Sequence, residues 1–142
     1  MATDHRHSVS VAGVVVDDQG RALIIRRRDN GHWEPPGGVL EHGETIEDGL
    51  RREVYEETGL KIEPGPLTGV YQNMHRHIIA LVFRCHPVGG ELTENDEAAA
   101  FLWASPDEIP ILMSEAYASR LLDGMNAAKE PVIRPHDGTR LL

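Results

Sequence analysis

The order of apolar segments predicts an α/β protein in which a mixed β-sheet carries helices on both faces. Runs rich in β-branched and apolar residues recur at 8–16, 22–28, 67–74, 77–85 and 98–104. Two other segments, following Thr45 and Ser114, repeat their apolar residues every four positions, the spacing of a buried helix stripe. A chain of 142 residues with 40% apolar and 26% charged residues suits one domain with a core of its own. The core is expected over residues 8–128, with a tail from 129 to 142.

The first strand is Ser-Val-Ser-Val-Ala-Gly-Val-Val-Val, residues 8–16. Asp17-Asp18-Gln19-Gly20 reads as a turn and residues 22–28 as the returning strand of a hairpin. Residues 29–38 hold Gly31, Pro35, Pro36, Gly37 and Gly38, and the prolines predict a shaped loop instead of a strand. Thr45 is placed to cap the first helix, with Asp48 three residues on. Ile46, Leu50 and Val54 form its expected buried stripe, and Gly59 fits the left-handed position that ends it. Pro64 and Pro66 mark the exit. Residues 78–83 are apolar throughout, as a central strand would be. Gly89-Gly90 turns the chain towards the strand at 98–104, where Trp103 belongs to the core. Ser105, Pro106 and Glu108 make a capping box that starts a short helix. The last helix, about 114–128, aligns Tyr117, Leu121 and Met125. From Pro131 the chain reads as an extended tail.

The formal net charge is −9, from 23 acidic and 14 basic residues. That balance argues against a nucleic-acid polymer, which requires a basic face, and against anionic membranes. It leaves anionic small molecules open, because a bound divalent cation reverses the local sign. Cys85 is the single cysteine, so neither an internal disulfide nor a thiolate zinc cluster can form. With no apolar leader visible at the N-terminus and no apolar run of membrane-spanning length, the expected location is cytoplasmic.

The acidic charge is concentrated. Residues 38–60 contain seven acids (Glu41, Glu44, Glu47, Asp48, Glu53, Glu56 and Glu57) against Arg51 and Arg52. Glu53, Glu56 and Glu57 stand at i, i+3 and i+4, on one side of a helix. They repel one another, and they occupy the last turn, where the helix dipole disfavours anions. A divalent cation would reverse both effects, and carboxylate oxygens suit magnesium or manganese. A solvated acidic face is the other reading of the same spacing. Arg52, four residues before Glu56, is placed to hold that carboxylate.

These residues resemble a known signature. Gly38, five residues, Glu44, seven residues, then Arg52-Glu53-Val54-Tyr55-Glu56-Glu57-Thr58-Gly59-Leu60 is similar at every fixed position to that of the Nudix hydrolases. A looser likeness extends over residues 8–128. The resemblance implies an α/β/α sandwich that hydrolyses a nucleoside diphosphate linked to another group, with Mg2+ or Mn2+ as cofactor. By matching position, Glu53, Glu56 and Glu57 are expected metal ligands, joined by the carbonyl of Gly37 or Gly38. Glu44 is expected to support the junction of loop and helix, and Arg52 to orient a ligand carboxylate. Glu53 and Glu97 are both candidates for the general base.

The remaining residues give substrate-contact candidates. Arg26 and Arg28 share a strand face and could meet phosphates. Trp33 could stack on a nucleobase or pack beneath the loop. His75 and His77 share a face of the next strand pair, with Tyr71 beside them. The proline that ADP-ribose hydrolases resemble one another in, sixteen residues past the signature, is Arg76 here. The places of the dinucleoside-polyphosphate tyrosine hold His77 and Ile78, and the NADH and coenzyme A motifs are missing. The expected substrate is therefore a nucleoside triphosphate or related small nucleotide, as for a MutT-like enzyme, and a homodimer is compatible with it. Two other readings stay open: a nucleotide-sensing domain without catalysis, and an isomerase like that of isopentenyl diphosphate, for which Cys85 lies far from the signature.

Overall fold

The computed structural model describes residues 4–126 and 130–142. In chain order the elements are β1 (Ser8–Val15), β2 (Ala22–Arg27), β3 (Trp33–Glu34), β4 (Gly37–Val39), α1 (Ile46–Thr58), β5 (Leu60–Asn73), β6 (Ile78–Gly90), β7 (Ala98–Ala104), α2 (Ile109–Leu112), α3 (Glu115–Met125) and β8 (Val132–His136). Strand alternation divides the interior in two. Val11 and Val15 of β1 pack in one core with Leu50 and Val54 of α1. Ala12 and Val14 pack in the other with Ala118 and Leu121 of α3. The β-layer thus lies between α1 and the α2–α3 pair, the expected three-layer arrangement.

The β-layer is two sheets, ordered β4-β1-β6-β5-β8 and β3-β2-β7. The first is mixed: β1 runs parallel to β6 and β5 parallel to β8, while β1–β4 and β5–β6 are antiparallel. As expected, β6 is a central strand.

Several expectations need correction. The first two strands do not form a hairpin. Their only ladder pairing among the described residues is the Val16–Ala22 bridge, because both edges of β1 are taken by β4 and β6, leaving β2 to pair with β3 and β7. The loop at 29–38 contains two short strands, with Pro35 and Pro36 falling between them where no ladder bond is required. Strand β5 begins at Leu60 and absorbs its prolines at a register shift between Pro64 and Leu67. The supposed tail is also a strand, β8, which extends the sheet by pairing along β5. The expected end of the last helix falls at residues 127–129, outside the described residues.

Local capping behaves as the sequence implies. The Thr45 hydroxyl accepts from the Asp48 N–H (3.1 Å), a cap worth about 1 kcal/mol, and Gly59 ends α1 at φ 81°. Leu50 and Val54 are fully buried, whereas Ile46 at the first turn is 40% exposed. Ser105 and Glu108 make both bonds of the capping box, but residues 106–108 form a turn and α2 itself starts at Ile109, three residues after the expected Pro106. Among the described residues no helix is long and apolar enough to cross a membrane.

Candidate active site

Strand β4 brings the glycine pair against β1 and against the last turns of α1. At Gly37 a Cβ would collide with the Val11 carbonyl oxygen and lie 2.7 Å from the Ala12 Cα. At Gly38 it would occupy the space of the Glu53 carboxylate. The absence of side chains therefore allows helix carboxylates to approach the strand backbone. The Gly37 N–H uses this proximity to donate to Glu57 Oε1 (3.0 Å).

Glu53 and Glu57 line a cleft of about 690 Å³ together with Glu34, Glu41, Asp96 and Glu97. Arg27 is the one basic residue on that wall among the described residues. Glu57 is 4% exposed. Burial pushes its pKa up to about 8; the Gly37 N–H works against this, and the nearby Glu53, Glu34 and Glu97 reinforce it. Burial also raises Glu53, opposed by the Arg52 guanidinium. These acids are gathered at a free-energy cost that a cation would relieve.

Arg52 organises the rim. Its guanidinium makes a forked pair with Glu44 (2.9 and 2.7 Å) and also reaches Glu53 (2.8 Å) and Glu56 (3.3 Å). Glu44 in turn accepts from the Glu41 N–H (2.8 Å), and these donors hold its pKa down to about 2. The loop before α1 is thereby tied to the helix. Arg52→Ala is expected to cost about 1 kcal/mol in urea denaturation, because these pairs are still partly in water. Arg52→Lys should recover only part of that, having no fork to span the Glu44 carboxylate.

Glu97 reaches the same cleft through a loop anchored by Asn95. The Asn95 amide donates to the Glu57 carbonyl (2.7 Å), while its oxygen accepts from the N–H groups of Glu97 and Ala98 (both 2.9 Å). Arg28 pins the other side, donating its Nε to the Asn95 carbonyl (2.7 Å) and its backbone N–H to that of Glu97 (2.9 Å).

A second cleft, about 750 Å³, adjoins the first and shares Arg27 and Glu34 with it. Trp33, His75, Arg76 and Tyr117 line it. Trp33 also packs on the α3-side core, so both uses weighed for it are compatible with its position.

The other contact candidates fall elsewhere. Arg26 lines neither cleft. A register shift between Arg26 and Arg27 breaks the alternation of β2, and Arg27 is the member of the triplet that faces both clefts. Arg28 is engaged by the Asn95 loop. Tyr71 is fully buried on the α3 side of β5, its hydroxyl bonded to Asp123 (2.6 Å), and lines no cleft. His75 and His77 do not share a strand face, because both lie in the turn between β5 and β6; His77 has φ 56° and lies edge-on to His7. Glu56 points to Arg52 at the rim and is not on the cleft wall. Sequence reasoning passed over Glu34, Asp96 and Asn95, whose polarity alone did not distinguish them from other loop residues.

The donor set in the acidic cleft is entirely oxygen, the class that magnesium and manganese prefer. Its excess negative charge and the buried Glu57 fit a divalent ion. Among the described residues no three such side chains converge as ligands would, because Arg52 draws Glu53 and Glu56 while the Gly37 N–H holds Glu57.

Comparison with known proteins agrees with this architecture. The family model of the NUDIX domain matches residues 6–124. A "MutT-like protein" of Streptomyces ambofaciens is 57% identical over 136 residues, covering 96% of this chain and 88% of that protein. An "ADP-ribose pyrophosphatase" of Methanocaldococcus jannaschii is 40% identical over 98 residues, 64% of this chain and 57% of that protein. The crystal structure of a MutT NUDIX hydrolase from Burkholderia pseudomallei superposes with a TM-score of 0.72 at 28% identity, covering 82% of this chain and 97% of that one.

Proposed function

This chain belongs to the Nudix hydrolase family, and on that footing we propose that it is a metal-dependent nucleotide pyrophosphohydrolase. It hydrolyses the pyrophosphate linkage of a nucleoside triphosphate or related small nucleotide. The observation that carries this reading is the acidic cleft, with buried Glu57 and half-buried Glu53 facing the glycine pair of β4 and Glu97 on the opposite loop.

In this reading Glu53, Glu56 and Glu57 hold the ion, with the carbonyl of Gly37 or Gly38. When bound there, Mg2+ or Mn2+ would supply Lewis acidity and neutralise charge on the phosphate oxygens. Glu97 or Glu53 takes the proton as water attacks phosphorus and the bridging P–O bond breaks. Arg27, between the two clefts, contacts the leaving phosphate. Arg52 and Glu44 keep the ligand-bearing helix and its loop in register. The whole of residues 1–142 acts as one domain, and the relatives' names point to small nucleotides as substrates.

The test is a hydrolysis panel with added magnesium, covering ordinary and oxidised nucleoside triphosphates, ADP-ribose, NADH, dinucleoside polyphosphates and nucleotide sugars. Turnover that disappears with a chelator and returns with magnesium or manganese is expected, fastest on a nucleoside triphosphate. Nucleotide binding without turnover anywhere would favour a sensing domain instead.

A further inference from the structure

The two clefts differ in chemistry. The smaller is dominated by carboxylates, whereas the larger balances Arg27 and Arg76 against Glu34 and Asp137 and adds the aromatic rings of Trp33 and Tyr117. Part of the larger cleft comes from Asp137, Gly138 and Thr139, directly after β8. These residues lie beyond the segment that the family model matches.

That wall is firmly built. The Thr139 carbonyl accepts from the Ala116 N–H (3.0 Å), and Glu115 accepts from the Leu141 N–H (2.7 Å). Behind it, Arg120 stacks over the Tyr117 ring (4.7 Å) and lies 3.3 Å from Nε2 of the fully buried His136. The other ring nitrogen of His136 accepts from the Gly138 N–H (2.9 Å). Arg120 and His136 thus join Tyr117 and Gly138, two parts of the cleft wall, through the interior.

Asp137 is the acceptor in this wall. Its Oδ1 takes the N–H groups of Thr139 and Arg140 (2.9 and 2.8 Å), and among the described residues no hydrogen bond reaches its Oδ2. An ionised carboxylate can only accept, so it complements a group that offers N–H.

We propose that the segment after β8 is the specificity wall of the nucleotide site: with Trp33 and Tyr117 it forms the nucleobase subsite, and Asp137 favours guanine, whose adjacent N1–H and N2–H groups both suit a carboxylate, over bases whose N–H is flanked by acceptor atoms. This rests on the function proposed above, with phosphates in the acidic cleft and the nucleoside in its neighbour.

Asp137→Asn tests it, because the amide oxygen keeps both backbone bonds while Nδ2 replaces the free acceptor with a donor. The measurements are kcat/KM for GTP, ATP, CTP and UTP with magnesium, tripolyphosphate as a base-free control, and affinities for the four nucleoside monophosphates. The substitution is expected to change the ranking of the bases by at least tenfold, leaving tripolyphosphate hydrolysis and the melting temperature unchanged. Asp137→Ser, which also preserves an acceptor for the loop, should weaken discrimination without inverting it. A uniform change over all four bases, or none, overturns the proposal. Monophosphate affinities that change rank while no triphosphate is hydrolysed by the unaltered protein would uphold the subsite and reject the hydrolase reading.

Discussion

Replacing Glu57 by Gln is expected to lower kcat at least about a hundredfold, the scale for losing a charge-stabilising group in a reaction centre. The amide keeps the shape of the side chain and can still accept from the Gly37 N–H, so the fold should persist. What it loses is the negative charge that Glu57 would supply as the proposed metal ligand. Glu56→Gln should have a similar effect on turnover in the proposed ligand set, although Glu56 lies at the rim. Near-normal rates in either variant would remove that residue from the metal site.

The same substitution has a pH signature in metal-free protein. The Glu57 pKa is raised to about 8 by burial. Between its ordinary carboxylate range and about pH 8, the folded state therefore binds more protons at this position than the unfolded chain does. Stability present at low pH is lost as pH rises through that window. Glu57→Gln removes the loss. With a chelator present, its melting temperature should exceed that of the unaltered protein at pH 8, and the difference should vanish below about pH 4, where both states of the unaltered protein carry a neutral carboxyl. Thermal melts across pH decide it; equal melting temperatures at pH 8 would show that Glu57 is not desolvated as the structure indicates.

Gly37→Ala is expected to produce the largest structural effect of a single methyl group. The added carbon would meet the Val11 carbonyl and the Ala12 backbone, neither of which can rotate away. Overpacking of this kind costs about 1–3 kcal/mol. Displacement of β4 would also move the backbone that meets Glu57, so activity should fall further than the loss of folded protein explains. Urea denaturation and specific activity measured on the folded fraction separate the two effects. An unchanged denaturation midpoint would mean that β4 is free to shift away from β1.

Much of α1 was legible because its information is local. Thr45 and Gly59 mark its ends, Leu50 and Val54 its buried side, and the glutamates recur at helical spacing whatever surrounds them. The strand at 98–104 was likewise visible from a run bounded by turn residues. The errors share a different origin. Arg26 was favoured over Arg27 by an alternation that a register shift interrupts, and a shift is a property of two paired strands. Tyr71 and His77 looked exchangeable as cleft residues until pairing put one in the α3-side core and the other in a turn. The tail carried no strand pattern of its own, because β8 is held by the open edge of β5 and by the Arg134–Asp123 ion pair (2.7 Å).

The sequence by itself determined the α/β class, the carboxylate-bearing helix and the family signature, since each is written in spacings within a few tens of residues. Only the tertiary structure decided that the β-layer splits into two sheets, that Arg27 links the two clefts, and that residues after β8 wall the larger one. The physical reason is that side-chain periodicity specifies which faces are apolar, while the choice of strand partner depends on which edges remain open after the rest of the chain has packed.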